Sequence, residues 1–328
     1  MPVIDIHTHI YPAKIAAKAT AAVGAFYDYP MFGDEFAALQ AAGDALVERE
    51  AAANAARTTA VGANLTGALE VPGDGAVAAP PTIDPSTFAL PDPGTPEQLL
   101  AATQGCPITH FCVLGVATKP EQVESINNFV IAQCRTHPNF IGFASMHQDF
   151  ANPEAELRRV RDAGLAGVKI HPDIQGVNLN DPRLMEVYAA CERLGIPVTL
   201  HTGDYRHDFS HPKRLVEVLH TFPRLRVNGA HFGGWSIYDL AVEYLEHERC
   251  FMDASSSFAF LGKRRVRELI ELYGADRIMF GSDFPMANPA HEYENLLSLE
   301  LPAKAFEQVS HRTAEEFLEC DITPPPRG

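Results

Sequence analysis

Thirty residues separate His171 from His201, and 30 more separate His201 from His231; Asp253 and Asp283 repeat the interval. A period of that length restricts the chain to architectures built from one repeated unit. A β-strand followed by a helix takes roughly 30 residues. The segments around these markers have that form. Short apolar runs lie at "THFCVLGV" (109–116), "FIGFASMH" (140–147), "AGVKIH" (166–171), "IPVTLH" (196–201), "LRVNGAH" (225–231), "RCFMDAS" (249–255) and "DRIMFGSD" (276–283). Each is bounded by Gly, Pro or polar residues. Near-continuous apolar runs suit strands covered on both faces.

Helical patterns fill the gaps. Residues 120–137 place Val123, Ile126, Phe129 and Val130 on one face. Residues 153–164 open on Pro153 and close on Gly164, and 181–195 has Asp181 as N-cap before Pro182 and Gly195 as a stop. Residues 211–222 and 263–274 repeat the pattern. With "VIDIHTH" as the first strand the count is eight. This predicts an α/β fold, a (β/α)8 TIM barrel, as a single domain over residues 1–328. No GxGxxG loop follows the first strand, which weakens a dinucleotide-binding sheet.

The beat fails once, in a long insertion after the first strand at about residues 20–100. Residues 34–56 carry Phe36, Leu39, Leu46 and Val47 on one helical face, and 71–98, dense in Pro and Gly, are expected to be loop. A connection leaving the C-terminal end of a barrel strand belongs to the catalytic face. The insertion is therefore a lid or pocket wall, or else a surface excursion or dimer arm without chemistry.

Composition narrows the partners. The 328 residues are 46% hydrophobic and 21% charged, with no run near the ~20 apolar residues of a membrane span. The N-terminus shows no basic segment followed by an apolar one, so no signal peptide is expected. Lys and Arg number 26 against 42 Asp and Glu, a net charge of −16 that argues against nucleic acid. Six scattered cysteines without a CxxC pair suggest reduced thiols in a cytoplasmic protein. The expected partner is a small-molecule substrate.

The chemistry gathers where the apolar runs stop. In a strand, residues i and i+2 share a face, so Asp5, His7 and His9 are expected together and Ile4, Ile6 and Thr8 opposite. Lys169 and His171, His201, His231 and Asp283 end other runs. Barrel enzymes collect catalytic residues at this rim. Neutral imidazoles with a carboxylate suit Zn2+, and also Mn2+ or Fe2+.

The pieces "IDIHTHIYP", "GVKIHP", "TLHTGD", "GAHFGGW" and "FGSDFP" resemble the amidohydrolase superfamily. More narrowly they resemble its amidohydrolase 2 branch, which includes aminocarboxymuconate semialdehyde decarboxylase. The resemblance implies one divalent metal ion, Zn2+ before Mn2+ or Fe2+, held by His7, His9, His201 and Asp283. It implies His231 and Asp283 as catalytic residues: Asp283 moving a proton, His231 assisting an oxyanion or protonating a leaving group. Some superfamily members bridge two metals with a carbamylated lysine from the fourth strand. The branch resembled here has one metal, which leaves Lys169 to pair with a carboxylate or bind a substrate anion, and His171 to stand behind the ligands. Arg206 could take a substrate carboxylate or be an ordinary surface arginine. Trp235 could wall the pocket or start a helix. "SSSF" (255–258) could bond substrate or cap a helix.

The activity expected first is a metal-dependent hydrolase acting on a small carboxylated or cyclic substrate through a metal-activated water. The alternative is a non-oxidative, metal-dependent decarboxylase using the same residues. Decarboxylases of the branch carry a substrate arginine near the insertion; Arg49 and Arg57 are the candidates here, and no motif selects either. A barrel that only binds a ligand is a third reading. The resemblance also implies a homodimer.

Overall fold

A computed structural model describes residues 1–27 and 94–322. The helix expected at 34–56, most of the loop expected at 71–98, and Arg49 and Arg57 lie outside the described residues.

Eight parallel strands follow one another in chain order. They are β1 (Ile4–His9), β2 (His110–Leu114), β3 (Phe140–Ser145), β4 (Gly167–Ile170), β5 (Val198–Leu200), β6 (Val227–Gly229), β7 (Phe251–Asp253) and β8 (Ile278–Met279). Each expected run contains its strand, trimmed at the ends. The chain around β8 closes back on β1. Ile6 N–H donates to Phe280 O at 3.0 Å, Asp283 N–H to His7 O at 2.7 Å and His9 N–H to Phe284 O at 2.6 Å. The result is the (β/α)8 barrel.

Alternation along β2 shows how the two faces are used. Phe111 and Val113 join the larger buried cluster with the surrounding helices, while Cys112 and Leu114 join Ile4, Ile6, Phe143, Met279 and Phe317 in the smaller one. Along β1 the alternation does not persist. The register with β2 slips between Asp5 and Thr8, a bulge that resets which side chains face inward. Asp5 therefore does not stand with His7 and His9. Its Oδ1 accepts the N–H of Ser282 at 2.9 Å and of His7 at 3.2 Å.

The helices fall where their caps put them. Asp181 accepts the N–H of Arg183 at 2.9 Å ahead of Pro182–Leu194, and Gly195 ends that helix at φ 68°. The helix expected at 263–274 starts earlier, spanning Phe258–Tyr273 with a break at Gly262. After β1 comes α1 (Ala13–Tyr27), the first part of the insertion. The loop expected over 71–98 ends too late, because α2 (Pro96–Ala102) begins inside it. Thr95 Oγ1 accepts from Gln98 N–H at 3.3 Å and Gln98 Oε1 accepts from Thr95 N–H at 2.9 Å, a reciprocal cap that starts the helix at Pro96. No helix among the described residues is long and apolar enough to cross a membrane.

One buried acid sets a pH limit on this scaffold. Glu292, on the helix Pro289–Leu297, is 2% exposed, and its Oε2 has no hydrogen-bond partner among the described residues. Burial pushes its carboxyl up to about 8, from 4.5. A folded-state value above the unfolded one means stability present in acid and lost as pH rises toward 8. Glu292→Gln removes that loss. Thermal unfolding at about pH 5 and about pH 8.5 is expected to show the variant gaining on wild type at the higher pH, by ~1 kcal/mol or more. A gap that does not change with pH would contradict it.

Candidate active site

The site residues sit at or just beyond the C-terminal ends of the strands. His7 and His9 close β1, Lys169 lies in β4 with His171 just after it, and Asp253 closes β7. His201 follows β5, His231 follows β6 and Asp283 follows β8. Three turns here use non-glycine residues in the left-handed region: His231 at φ 58°, Ser256 at φ 50° and Asp283 at φ 64°. Each such residue costs roughly 1–2 kcal/mol, a strain that clusters at functional sites.

His7 Nε2 and His9 Nε2 are 3.2 Å apart, and each lies 3.4 Å from Asp283 Oδ1. A cation bound at about 2.0–2.2 Å from N and O donors holds those donors roughly 3–3.5 Å from one another. An imidazole lone pair lies in its ring plane, so two rings serve one ion only if their planes meet there. The His7 and His9 planes are tilted by 54°. The spacing fits a single divalent cation, and the rings are not parallel, as shared coordination requires. Burial, together with the Lys169 ammonium, brings the His7 imidazolium down to about 4, so His7 is neutral near pH 7 and its lone pair is available. Burial works to raise the Asp283 carboxyl, but attraction to His7 and the hydrogen bond from His9 outweigh it and hold Asp283 below the usual carboxylate range.

His201 does not join that triad directly. Its Nδ1 is 3.1 Å from His231 Nε2, and its Nε2 is 3.2 Å from Gly203 O. His231 Nδ1 is 2.9 Å from Ser255 O. Carbonyl oxygens only accept, so each ring puts its N–H on the carbonyl and turns a lone pair toward the other ring. Two facing lone pairs at that distance call for a proton or a cation between them. The planes cross at 62°, which permits either. His7 and His231 lie nearly face to face instead, 5.1 Å apart at 29°.

Lys169 is fully buried, with Nζ 3.0 Å from His7 Nε2. No carboxylate oxygen lies within ion-pair distance of it among the described residues. Burial lowers its ammonium to about 8. His171 follows β4, its Nε2 2.8 Å from Tyr27 OH.

Arg206 is neither a free reader of substrate nor an ordinary surface group. Its Nε and Nη2 engage Asp204 at 3.0 and 2.8 Å, and Nη1 donates to Phe26 O at 2.8 Å. Trp235 walls the pocket rather than starting a helix, since the next helix is Tyr238–Leu245. Trp235 N–H donates to Thr202 O at 2.8 Å. Gly203, at φ 83°, permits this approach: a Cβ there would lie 2.4 Å from the Gly234 backbone.

Sequence reasoning missed Asp253 and Tyr27. Asp253 entered only as a mark of the period, although an acid at a strand end was the available signal. It is fully buried, with Oδ2 3.1 Å from His7 Nδ1 and 2.8 Å from Asn228 Nδ2. Its Oδ1 accepts the N–H of His231 and of Ser255, each at 3.2 Å, and the Ser255 hydroxyl. The serines after β7 serve this centre and do not cap the following helix. Ser255 Oγ lies 3.1 Å from His7 Nδ1 and 3.0 Å from His231 Nδ1, and Ser256 Oγ donates to Asp283 Oδ2 at 2.6 Å.

His7, His9, His171, His201, His231 and Asp283 form the floor of a cavity of about 820 Å³, with Lys169, Asp253 and Ser255 buried behind them. Its walls are mainly apolar: Val23 and Phe26 of α1, Ile126, Phe129, Trp235 and Phe260, with Lys14 and Lys18 also on the lining.

A family model described as amidohydrolase matches residues 4–319. This chain belongs to the amidohydrolase family. The amidohydrolase is 23% identical over 217 residues to a 2-amino-3-carboxymuconate-6-semialdehyde decarboxylase of Dictyostelium discoideum, covering 53% of this chain and 60% of that one. The match thus spans less than two thirds of that relative. Among solved structures, a dihydroxybenzoic acid decarboxylase of Polaromonas sp. JS666, with manganese and the inhibitor 2-nitroresorcinol, superimposes with a TM-score of 0.62 at 14% identity, covering 97% of both chains. A probable 2-pyrone-4,6-dicarboxylic acid hydrolase of Acinetobacter baumannii, with citric acid bound, gives 0.58 at 15% identity, covering 97% of this chain and 100% of that one. At these identities the structural likeness shows a common fold.

Proposed function

We propose that this amidohydrolase is a metal-dependent, non-oxidative decarboxylase of a small carboxylated aromatic or unsaturated acid. One observation carries the reading. Groups that grip an anion lie at the floor of a cavity whose walls are apolar. Such walls lower the local polarity, which favours the change from a carboxylate to neutral CO2. The decarboxylase from Dictyostelium discoideum supports the same choice over the hydrolase expected first from the sequence.

His7, His9 and Asp283 would hold the cation, with His201 Nδ1 the further donor expected. When bound, the metal supplies positive charge that anchors and neutralises the substrate carboxylate. Zn2+ and Mn2+ both suit this donor set. The Lys169 ammonium adds a second positive charge beside His7. The bond between the substrate carbon and its carboxyl group breaks, CO2 leaves, and the electron pair stays on carbon. His231 would deliver the proton to that carbon from Nε2, with Ser255 O holding its Nδ1–H. Val23, Phe26 and Trp235 hold the substrate's apolar body. The free cysteines fit a cytoplasmic compartment.

The test is a panel of 2,6-dihydroxybenzoate, 5-carboxyvanillate and 2-pyrone-4,6-dicarboxylate, followed by CO2 release and product mass. Loss of CO2 without gain of water is expected. A product heavier by one water, with no CO2, would make the protein a hydrolase.

A further inference from the structure

The described residues hold another group of potential metal donors, His171, Asp173 and His201, all buried. Ring geometry argues against a cation there. The His171 and His201 rings are stacked, 4.0 Å apart and within 9° of parallel. Near-parallel planes do not meet at a nearby point, so the two lone pairs cannot converge on one ion. A phenol bridges the stacked pair instead. Tyr27 OH lies 2.8 Å from His171 Nε2 and 3.3 Å from His201 Nε2.

Tyr27 is the last residue of α1, and several contacts hold it in place. Its ring meets Trp235 edge-on at 4.9 Å, and the Arg206 guanidinium lies 5.2 Å from its centroid. Arg206, oriented by Asp204, donates to Phe26 O and so fixes the end of the helix, while Phe26 stacks on His207 at 5.4 Å. The loop after β5 thus latches α1 over the site.

We propose that Tyr27 is a positioning residue of the active site, clamping the His171–His201 pair and so fixing the direction in which His201 Nδ1 faces His231 and the metal donors. The inference rests on the proposed metal function. Stacked imidazoles have no N–H between them and cannot bond to each other. A phenol oxygen can accept an N–H from each ring, so it can tie the two together. His171 Nδ1 accepts the Ile174 N–H at 3.4 Å, so its Nε2–H donates to the Tyr27 oxygen; with its N–H on Nε2, His201 has acceptors in Gly203 O and the same Tyr27 oxygen. Nδ1 then keeps its lone pair. Outer partners of metal-ligating histidines act in this way.

Tyr27→Phe tests it, because the ring against Trp235 and Arg206 stays and only the hydroxyl is lost. In the full chain, chelator competition with Zn2+ and with Mn2+ is expected to show affinity reduced about tenfold or more. Ring-nitrogen NMR of the metal-free protein is expected to show altered signals for His171 and His201, with His110 unchanged and the melting temperature close to wild type. Affinity within twofold of wild type together with unchanged His171 and His201 signals would overturn the proposal. If wild type itself takes up no metal, the metal function fails, and the NMR comparison alone decides the role of Tyr27.

Discussion

Purified without chelator or added metal, the wild-type chain is expected to carry about one divalent ion, and His9→Ala and Asp283→Asn to carry almost none. Turnover of the substrate found by the panel should fall by at least about a thousandfold in both, the scale for losing a charge-stabilising or proton-transferring group. The choice of residues follows from their surroundings. His9 is 7% exposed at the cavity floor and its Nδ1 has no partner among the described residues, so its removal opens space to the cavity. His7 is fully buried among Asp253, Ser255 and Lys169, and His7→Ala threatens the fold as well as the site. Metal analysis with circular dichroism on the same samples checks the result. About two ions per chain would point to Lys169 as a bridging carbamate and toward hydrolysis. No metal in a folded, active protein would reduce the histidines to acid–base or anion-binding groups and end the metal mechanism.

The barrel and its rim were legible because their signals are local. An apolar run of a few residues, a Pro or Asp at its far side and a period of 30 residues need no tertiary knowledge. The candidate donors His7, His9 and Asp283 stand at or near the ends of such runs. What stayed hidden depends on contacts across the fold. Asp5 shares sequence parity with His7 and His9, yet the slip in β1 against β2 sends its carboxylate to Ser282. Nothing in "IDIHTH" announces a bulge. Asp253 is one of 42 acidic residues, and its importance comes from closing β7 beside a histidine 246 positions away. Tyr27 sits at the end of a helix inside the irregular insertion, where no periodicity singles it out. The α2 start was readable and was passed over: Thr95 and Gln98 are spaced for a reciprocal cap, but the surrounding prolines and glycines suggested loop.

Asp253→Asn is expected to have the second-largest effect, although Asp253 is not placed to touch the cation. Its two oxygens have different work. Oδ2 faces His7 Nδ1, and Oδ1 collects the N–H groups of His231 and Ser255 and the Ser255 hydroxyl. A carboxylate accepts on both sides; an amide cannot. If the amide nitrogen faces His7, donor meets donor, and the His7 proton must move to Nε2. The lone pair that stands 3.2 Å from His9 Nε2 is then gone. If the amide turns over, the nitrogen faces the three donors that Oδ1 accepted, at about 1–3 kcal/mol for unmet buried hydrogen bonds. Metal affinity should fall about 10–100-fold, the range for losing the partner that orients a metal-bound histidine. Chelator competition reads the affinity, and denaturant unfolding of the metal-free protein reads the stability. A variant that unfolds earlier yet binds metal within threefold of wild type would show that Asp253 supports the barrel and does not set the His7 tautomer. Weaker metal binding with the stability of the metal-free protein unchanged would place the effect of Asp253 on the His7 tautomer.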